Sequence, residues 1–152
     1  MMTTRRTLVT SLGALLAAPA WAAKPTATPM EVWKDPNCGC CKDWVKHLEQ
    51  AGFAVRVYDT GNEAKRAALG MPQALGSCHT GVVGGYAIEG HVPAKDIQRL
   101  LREKPKALGL SVPGMPIGSP GMDGAIYKGR KDPFDVLLVA ANGNSTVFQS
   151  YR

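Results

Sequence analysis

Residues 30–59 constrain the fold more than any other stretch, because they spell one supersecondary unit. "MEVWK" (30–34) is a short β-type run, "DPN" (35–37) breaks it, and Asn37 stands where a residue caps a helix running to about residue 50, ahead of Gly52. "FAVRVYD" (53–59) alternates as a second strand. Strand, helix and strand in such close succession predict two parallel strands joined by a crossover helix. On that helix Cys41, Trp44, Val45 and Leu48 recur at spacings of three and four, forming one apolar stripe. Cys41 is thereby predicted to point inward, with Cys38 at the helix mouth and Cys40 and His47 on the neighbouring stripe.

The rest of the chain extends this unit. A helix is predicted over 62–69, stopped by Gly70 and Pro72. Two short strands, 80–83 and 86–89, meet around Gly84-Gly85, a hairpin signal. Pro93 suits the first turn of a helix that buries Ile97, Leu100 and Leu101 and ends before Pro105. Residues 105–133 change to Gly, Pro and Met, with "VPGMPIGSPGMDG" at their centre, and read as one long loop; such a loop seldom survives in a compact domain without a task. "FDVLLVA", Asn142-Gly143 and "NSTVFQSY" predict a closing hairpin with a type I′ turn. The fold class is therefore α/β: a thioredoxin-like mixed sheet flanked by helices, with an added C-terminal β-hairpin.

The first 23 residues read as an export signal peptide, with Arg5 and Arg6 before a short apolar run and Ala20-Trp21-Ala22 at a cleavage point. The paired arginines leave a twin-arginine and a general secretory route both open, and each leads to the periplasm. Residues 24–29 read as a linker and 30–152 as a single thioredoxin-like domain. The formal charge of +6 includes Arg5 and Arg6, leaving +4 on residues 24–152, scattered among acids. No basic run of the kind that binds nucleic acid is present. No stable membrane insertion is expected after signal cleavage.

All four cysteines (Cys38, Cys40, Cys41, Cys78) lie beyond the signal. A disulfide framework is the default for an exported chain, yet Cys40 and Cys41 are adjacent and three thiols on one turn staple distant segments poorly. Cys38 and Cys41 have C-x-x-C spacing at a helix N-terminus, where unpaired N–H groups stabilise a thiolate. In a thioredoxin topology a proline faces that motif; here the position reads Ser77-Cys78-His79-Thr80. Cys78 and His79 are thus expected across from the other three thiols. Zinc wants four terminal ligands in a tetrahedron, which three crowded cysteines supply badly; copper(I) accepts shared thiolates and low coordination numbers. His79, His47, His91, Met115 and Met122 are candidates for additional ligands or for a surrounding shell. Plainer readings stand beside these: an exposed His47, a His91 that caps the following helix or sits on the hairpin end, and a Met filling a gap in a surface loop.

"DPNCGCCKDWVKHLEQAGF", "MPQALGSCHTGVVGGYAIEGHVPAKDIQRLL" and "VPGMPIGSPGM" together resemble the CopG-type periplasmic copper-resistance proteins. The resemblance implies a thioredoxin-like fold, export, and copper held by Cys38, Cys40, Cys41 and Cys78. It speaks more firmly to metal binding than to a reaction. The expected function is periplasmic copper binding as Cu(I) for resistance or homeostasis, with copper redox or transfer to a copper efflux or carrier protein as extensions. The rivals are a thiol-disulfide oxidoreductase using Cys38 and Cys41, and a zinc-stabilised structural module.

Overall fold

The computed structural model describes residues 26–152, so the signal-peptide reading lies outside the described residues. Seven strands form one mixed sheet in the order β2-β1-β3-β4-β5-β6-β7. β1 (Thr28–Lys34) and β2 (Phe53–Tyr58) are parallel and joined through α1 (Gly39–Gln50), as the opening unit predicts. β1 begins at Thr28, so the last two linker positions are strand.

β3 (His79–Val83) runs antiparallel to β1 and pairs with β4 (Tyr86–Glu89) across Gly84 and Gly85, both at positive φ. α3 (Ala94–Glu103) follows and packs beside α1. One face of the sheet, through Met30, Val32, Val83, Ile88 and Val136, buries Trp44 and Leu48 of α1 and Ile97 and Leu100 of α3. Fully burying a Leu or Ile contributes roughly 1.5–3 kcal/mol, so this layer is what fixes α1 against β1 and β3. α2 (Glu63–Ala68) lies toward the opposite face, where Arg66 is buried beside Glu89 of β4.

Three expectations are corrected. The loop 105–133 contains β5 (Gly109–Ser111), which pairs with both β4 and β6 (Phe134–Val139) and makes the sheet continuous. Three residues are too few to show a period, and Gly109 is required because a Cβ there would lie 1.7 Å from the carbonyl oxygen of Ala87. α1 is entered through Cys38 and has no side-chain cap; the Asn37 backbone N–H is instead taken by the Asp35 carboxylate at 2.7 Å. The turn between β6 and β7 (Ser145–Tyr151) has positive φ at Gly143 alone, whereas type I′ needs it at both central residues. The Asn142 side chain instead accepts the Asn144 N–H.

Candidate metal centre

Two segments build the site. Cys38, Cys40 and Cys41 occupy the entrance and first turn of α1, whose register is set by Trp44 and Leu48 in the core. Cys78 comes from the residue before β3, a strand held by its pairing to β1 and β4. The four sulfurs converge within 4.8 Å of one another. Cys38 and Cys41 are joined in a disulfide, while Cys40 and Cys78 are free. Each bonded sulfur faces a free one: Cys38 stands 3.5 Å from Cys40, Cys41 stands 3.5 Å from Cys78, and Cys40 and Cys78 are 4.0 Å apart. The sulfurs therefore close a ring. In this oxidised form two free thiols remain; two electrons and two protons would return the set to four.

A second triad shares Cys78. His91 Nε2 is 3.2 Å and His79 Nδ1 is 3.4 Å from its sulfur, and all three ligand atoms lie within 4.8 Å of one another. Both rings are buried. His79 leans on Trp44 with ring centroids 4.1 Å apart and meets His91 edge-on at 4.8 Å. His91 Nδ1 donates to the carbonyl of Pro120 at 2.8 Å, a tie between the Met-rich loop and the site. That loop also touches α1 directly, since a Cβ on Gly121 would fall 2.5 Å from the Cys40 carbonyl oxygen.

The electrostatics run against a simple activated-thiol picture. Burial, and then the neighbouring Cys40, push the Cys78 thiol up to about 12. Burial likewise lowers His91, with the Pro120 carbonyl and Asp123 opposing, and lowers His79 much further. The site thus holds neutral imidazoles and a protonated thiol, and an arriving cation must displace a proton. The donor set of thiol sulfur and imidazole nitrogen, free of carboxylates, fits a soft or borderline metal rather than calcium or magnesium.

The predicted residues divide clearly. Cys38, Cys40, Cys41, Cys78, His79 and His91 come together. His47 does not join them, nor is it simply exposed: its Nε2 accepts the Ala94 N–H at the start of α3, at 3.1 Å. Met115 is exposed, and buried Met122 has its sulfur against the Tyr127 hydroxyl at 3.3 Å. An open groove of about 550 Å³ runs past Cys38 and Cys78 beside Asp35, Asn62 and Glu63, and a smaller one of about 260 Å³ reaches Cys40 beside Asp43 and Tyr127.

One group escaped the sequence reading. Glu89 is fully buried; its Oε1 accepts the Ser77 N–H at 2.7 Å and Arg66 Nη1 at 3.1 Å, and its Oε2 accepts the Thr80 hydroxyl at 2.6 Å. Arg66 and Asn62 both donate to the Ser77 carbonyl. The residue preceding Cys78 is therefore gripped at both its N–H and its C=O. The hairpin register about Gly84-Gly85, which sets Thr80 opposite Glu89, was the available signal.

A family model described as a protein of unknown function, DUF411, matches residues 75–122. Two solved structures, titled copper resistance protein copG in forms 1 and 2, are each 45% identical to this chain with a TM-score of 0.76. They cover 82% and 83% of this chain and 98% and 99% of their own. Among curated proteins none matches.

Proposed function

The chain belongs to the copper resistance protein CopG family, and on that premise we propose that it is a periplasmic copper-binding protein that holds Cu(I) in its cysteine cluster. A copper-related metal-binding role fits both the family and the cluster. The observation that carries the reading is the convergence of Cys38, Cys40, Cys41 and Cys78 within 4.8 Å, from segments far apart in the chain. Four thiolates at that spacing, once the disulfide is reduced, offer shared sulfur ligands of the sort Cu(I) prefers. Bound copper would supply Lewis acidity and a one-electron couple. The chain's own share is to hold the sulfurs together and release their protons. Resistance or homeostasis is the physiological role proposed, with delivery to a copper efflux or carrier protein.

The test is an anaerobic Cu(I) titration of the reduced protein against a chromophoric competitor, joined to elemental analysis. Uptake above one equivalent that falls in Cys78→Ser is expected. Uptake below one equivalent, or uptake indifferent to Cys78→Ser, overturns the proposal.

The Cys38–Cys41 disulfide, with the Cys78 sulfur 3.5 Å from Cys41, favours a second reading as a thiol-disulfide oxidoreductase. An insulin-reduction assay separates the two, because a dedicated metal carrier leaves insulin intact. The same elemental analysis disposes of the zinc module if zinc is absent from protein isolated from the periplasm.

A further inference from the structure

The main-chain groups at the mouth of the disulfide are already occupied. The Gly76 N–H donates to the Gln73 carbonyl, and the Gly76 carbonyl accepts the Gly114 N–H. The Ser77 N–H donates to Glu89, and its carbonyl accepts from Arg66 and Asn62. On the facing wall the Gly61 N–H donates to the Lys34 carbonyl. β3, which begins just inside, is paired on both sides, and the open edges of the sheet are β2 and β7. An extended polypeptide is held by pairing with free N–H and C=O groups, and Gly76 and Ser77 have none to offer.

What stays open is the groove of about 550 Å³ that reaches Cys38. Its disulfide partner Cys41 is fully buried, so an attacking group from solvent meets Cys38. The smaller groove reaches only the free Cys40. The charged side chains lining the larger groove are Asp35 and Glu63, both exposed and, among the described residues, neither in an ion pair. Cations close by are engaged elsewhere: Lys34 with Asp59, Arg66 with Glu89, and Lys65 over the Trp33 ring. Residues 24–152 carry +4, so the lining of this groove opposes the sign of the chain.

We infer that the groove admits a small thiol, neutral or cationic and not part of a polypeptide, which reduces the Cys38–Cys41 disulfide and readies the cluster for metal. The thiolate attacks Cys38 Sγ; the new S–S bond forms as the Cys38–Cys41 bond breaks, and the Cys41 sulfur takes up a proton. A second thiolate attacks the outer sulfur of the adduct and leaves with it as a small disulfide, and the Cys38 sulfur is protonated. Two thiols are thereby oxidised to one disulfide, and the protein gains two electrons and two protons. Asp35 and Glu63 set the preference, repelling an anionic thiol and attracting an ammonium over the short range that salt leaves to exposed charges. The inference rests on the copper reading for the purpose of the reduction and on the groove for the class of thiol.

The experiment follows reduction of the metal-free disulfide protein by cysteamine, mercaptoethanol and mercaptoethanesulfonate, counting alkylatable thiols as they rise from two to four. Each rate is taken per thiolate and divided by the rate of the same thiol on hydroxyethyl disulfide, which removes intrinsic nucleophilicity. At low salt cysteamine is expected to exceed the sulfonate about tenfold, with mercaptoethanol between them. The ratio is expected to fall toward one in about 0.5 M NaCl and in the double variant Asp35→Asn/Glu63→Gln. A short uncharged peptide with one central cysteine is expected to be at least about tenfold slower than mercaptoethanol, and peptide mapping is expected to find the transient adduct on Cys38. A sulfonate as fast as cysteamine, a preference that survives both high salt and the double variant, a peptide as fast as mercaptoethanol, or an adduct on Cys41 overturns the inference. So do four alkylatable thiols in the air-oxidised, metal-free protein. Thiol-reduced protein that takes up no Cu(I) overturns the copper reading instead, and the order of thiols, measured without metal, stands apart from it.

Discussion

Replacing Arg66 by Met tests how the Cys78 side of the site is held. The methionine fills much of the same volume but removes three hydrogen bonds of the guanidinium, to Glu89 Oε1, to the Ser77 carbonyl and to Gln73 Oε1, each 3.1 Å long. Arg66 is 5% exposed and Glu89 0%, so the carboxylate is left charged in a dry place. Removing one partner of a buried pair costs about 3–5 kcal/mol. For a domain of this size each kcal/mol lowers Tm by roughly 3–5 °C, which puts the fall at roughly 10–20 °C.

The pH dependence gives a sharper check. Burial already holds the Glu89 carboxyl above its ordinary 4.5, opposed by Thr80, by the Ser77 N–H and by Arg66. Losing Arg66 lets it rise further. A carboxyl with a raised folded-state pKa favours folding fully below its unfolded value and loses that contribution as pH climbs through the folded value. The deficit of Arg66→Met relative to the native protein should therefore be largest near pH 8 and shrink as pH falls toward 5. Calorimetric melts at several pH values, with Cu(I) affinity measured in parallel, read this out. A Tm loss under about 3 °C, or a deficit independent of pH, would refute the buried-pair account.

Other predictions follow from single contacts. Cys40→Ser should lower Cu(I) capacity as Cys78→Ser does, because the sulfurs form a closed ring, and competition titration measures it. Gly121→Ala, at φ +87° with Cys40 O at 2.5 Å and Trp44 N at 2.9 Å from the new Cβ, should lift the loop from α1. It should cost about 2–4 kcal/mol from strain and overpacking and speed alkylation of Cys40, which iodoacetamide kinetics will show. His47→Ala should cost about 1 kcal/mol in urea denaturation, since its Nε2 takes an otherwise unpaired N–H of α3. Burial, opposed by Asp123, lowers the His47 pKa below 6.5, so its contribution is present above 6.5 and is lost as pH falls through the folded value. The native protein should therefore lose stability through this group as pH falls below 6.5, and His47→Ala should lose less.

The parts of the fold that were legible in the sequence are those written by short-range patterns. The α1 stripe of Cys41, Trp44, Val45 and Leu48 is buried as its spacing says, and Gly84-Gly85 turns as its glycines allow. β5 was hidden because a three-residue strand carries no period and is recruited only by neighbours already in place. The cysteine hook could be read from spacing, and Cys78 could be set opposite it by topology. The pairing of Arg66 with Glu89, 23 residues apart, and the turn of His47 toward α3 depend on how layers meet, which no local pattern records.

The hook and Cys78 lie on different supersecondary units, and Pro120 reaches His91 from 29 residues further along. An unfolded chain still offers three neighbouring thiols, but the sulfur opposite them, the imidazole and the covering loop exist together only after the layers dock. Tight retention of a metal ion is consequently a readout of completed assembly. By mass action the ion stabilises the finished domain in proportion to how much better that domain holds it than the loose chain does. A chain that failed to dock its second half would let a bound ion go.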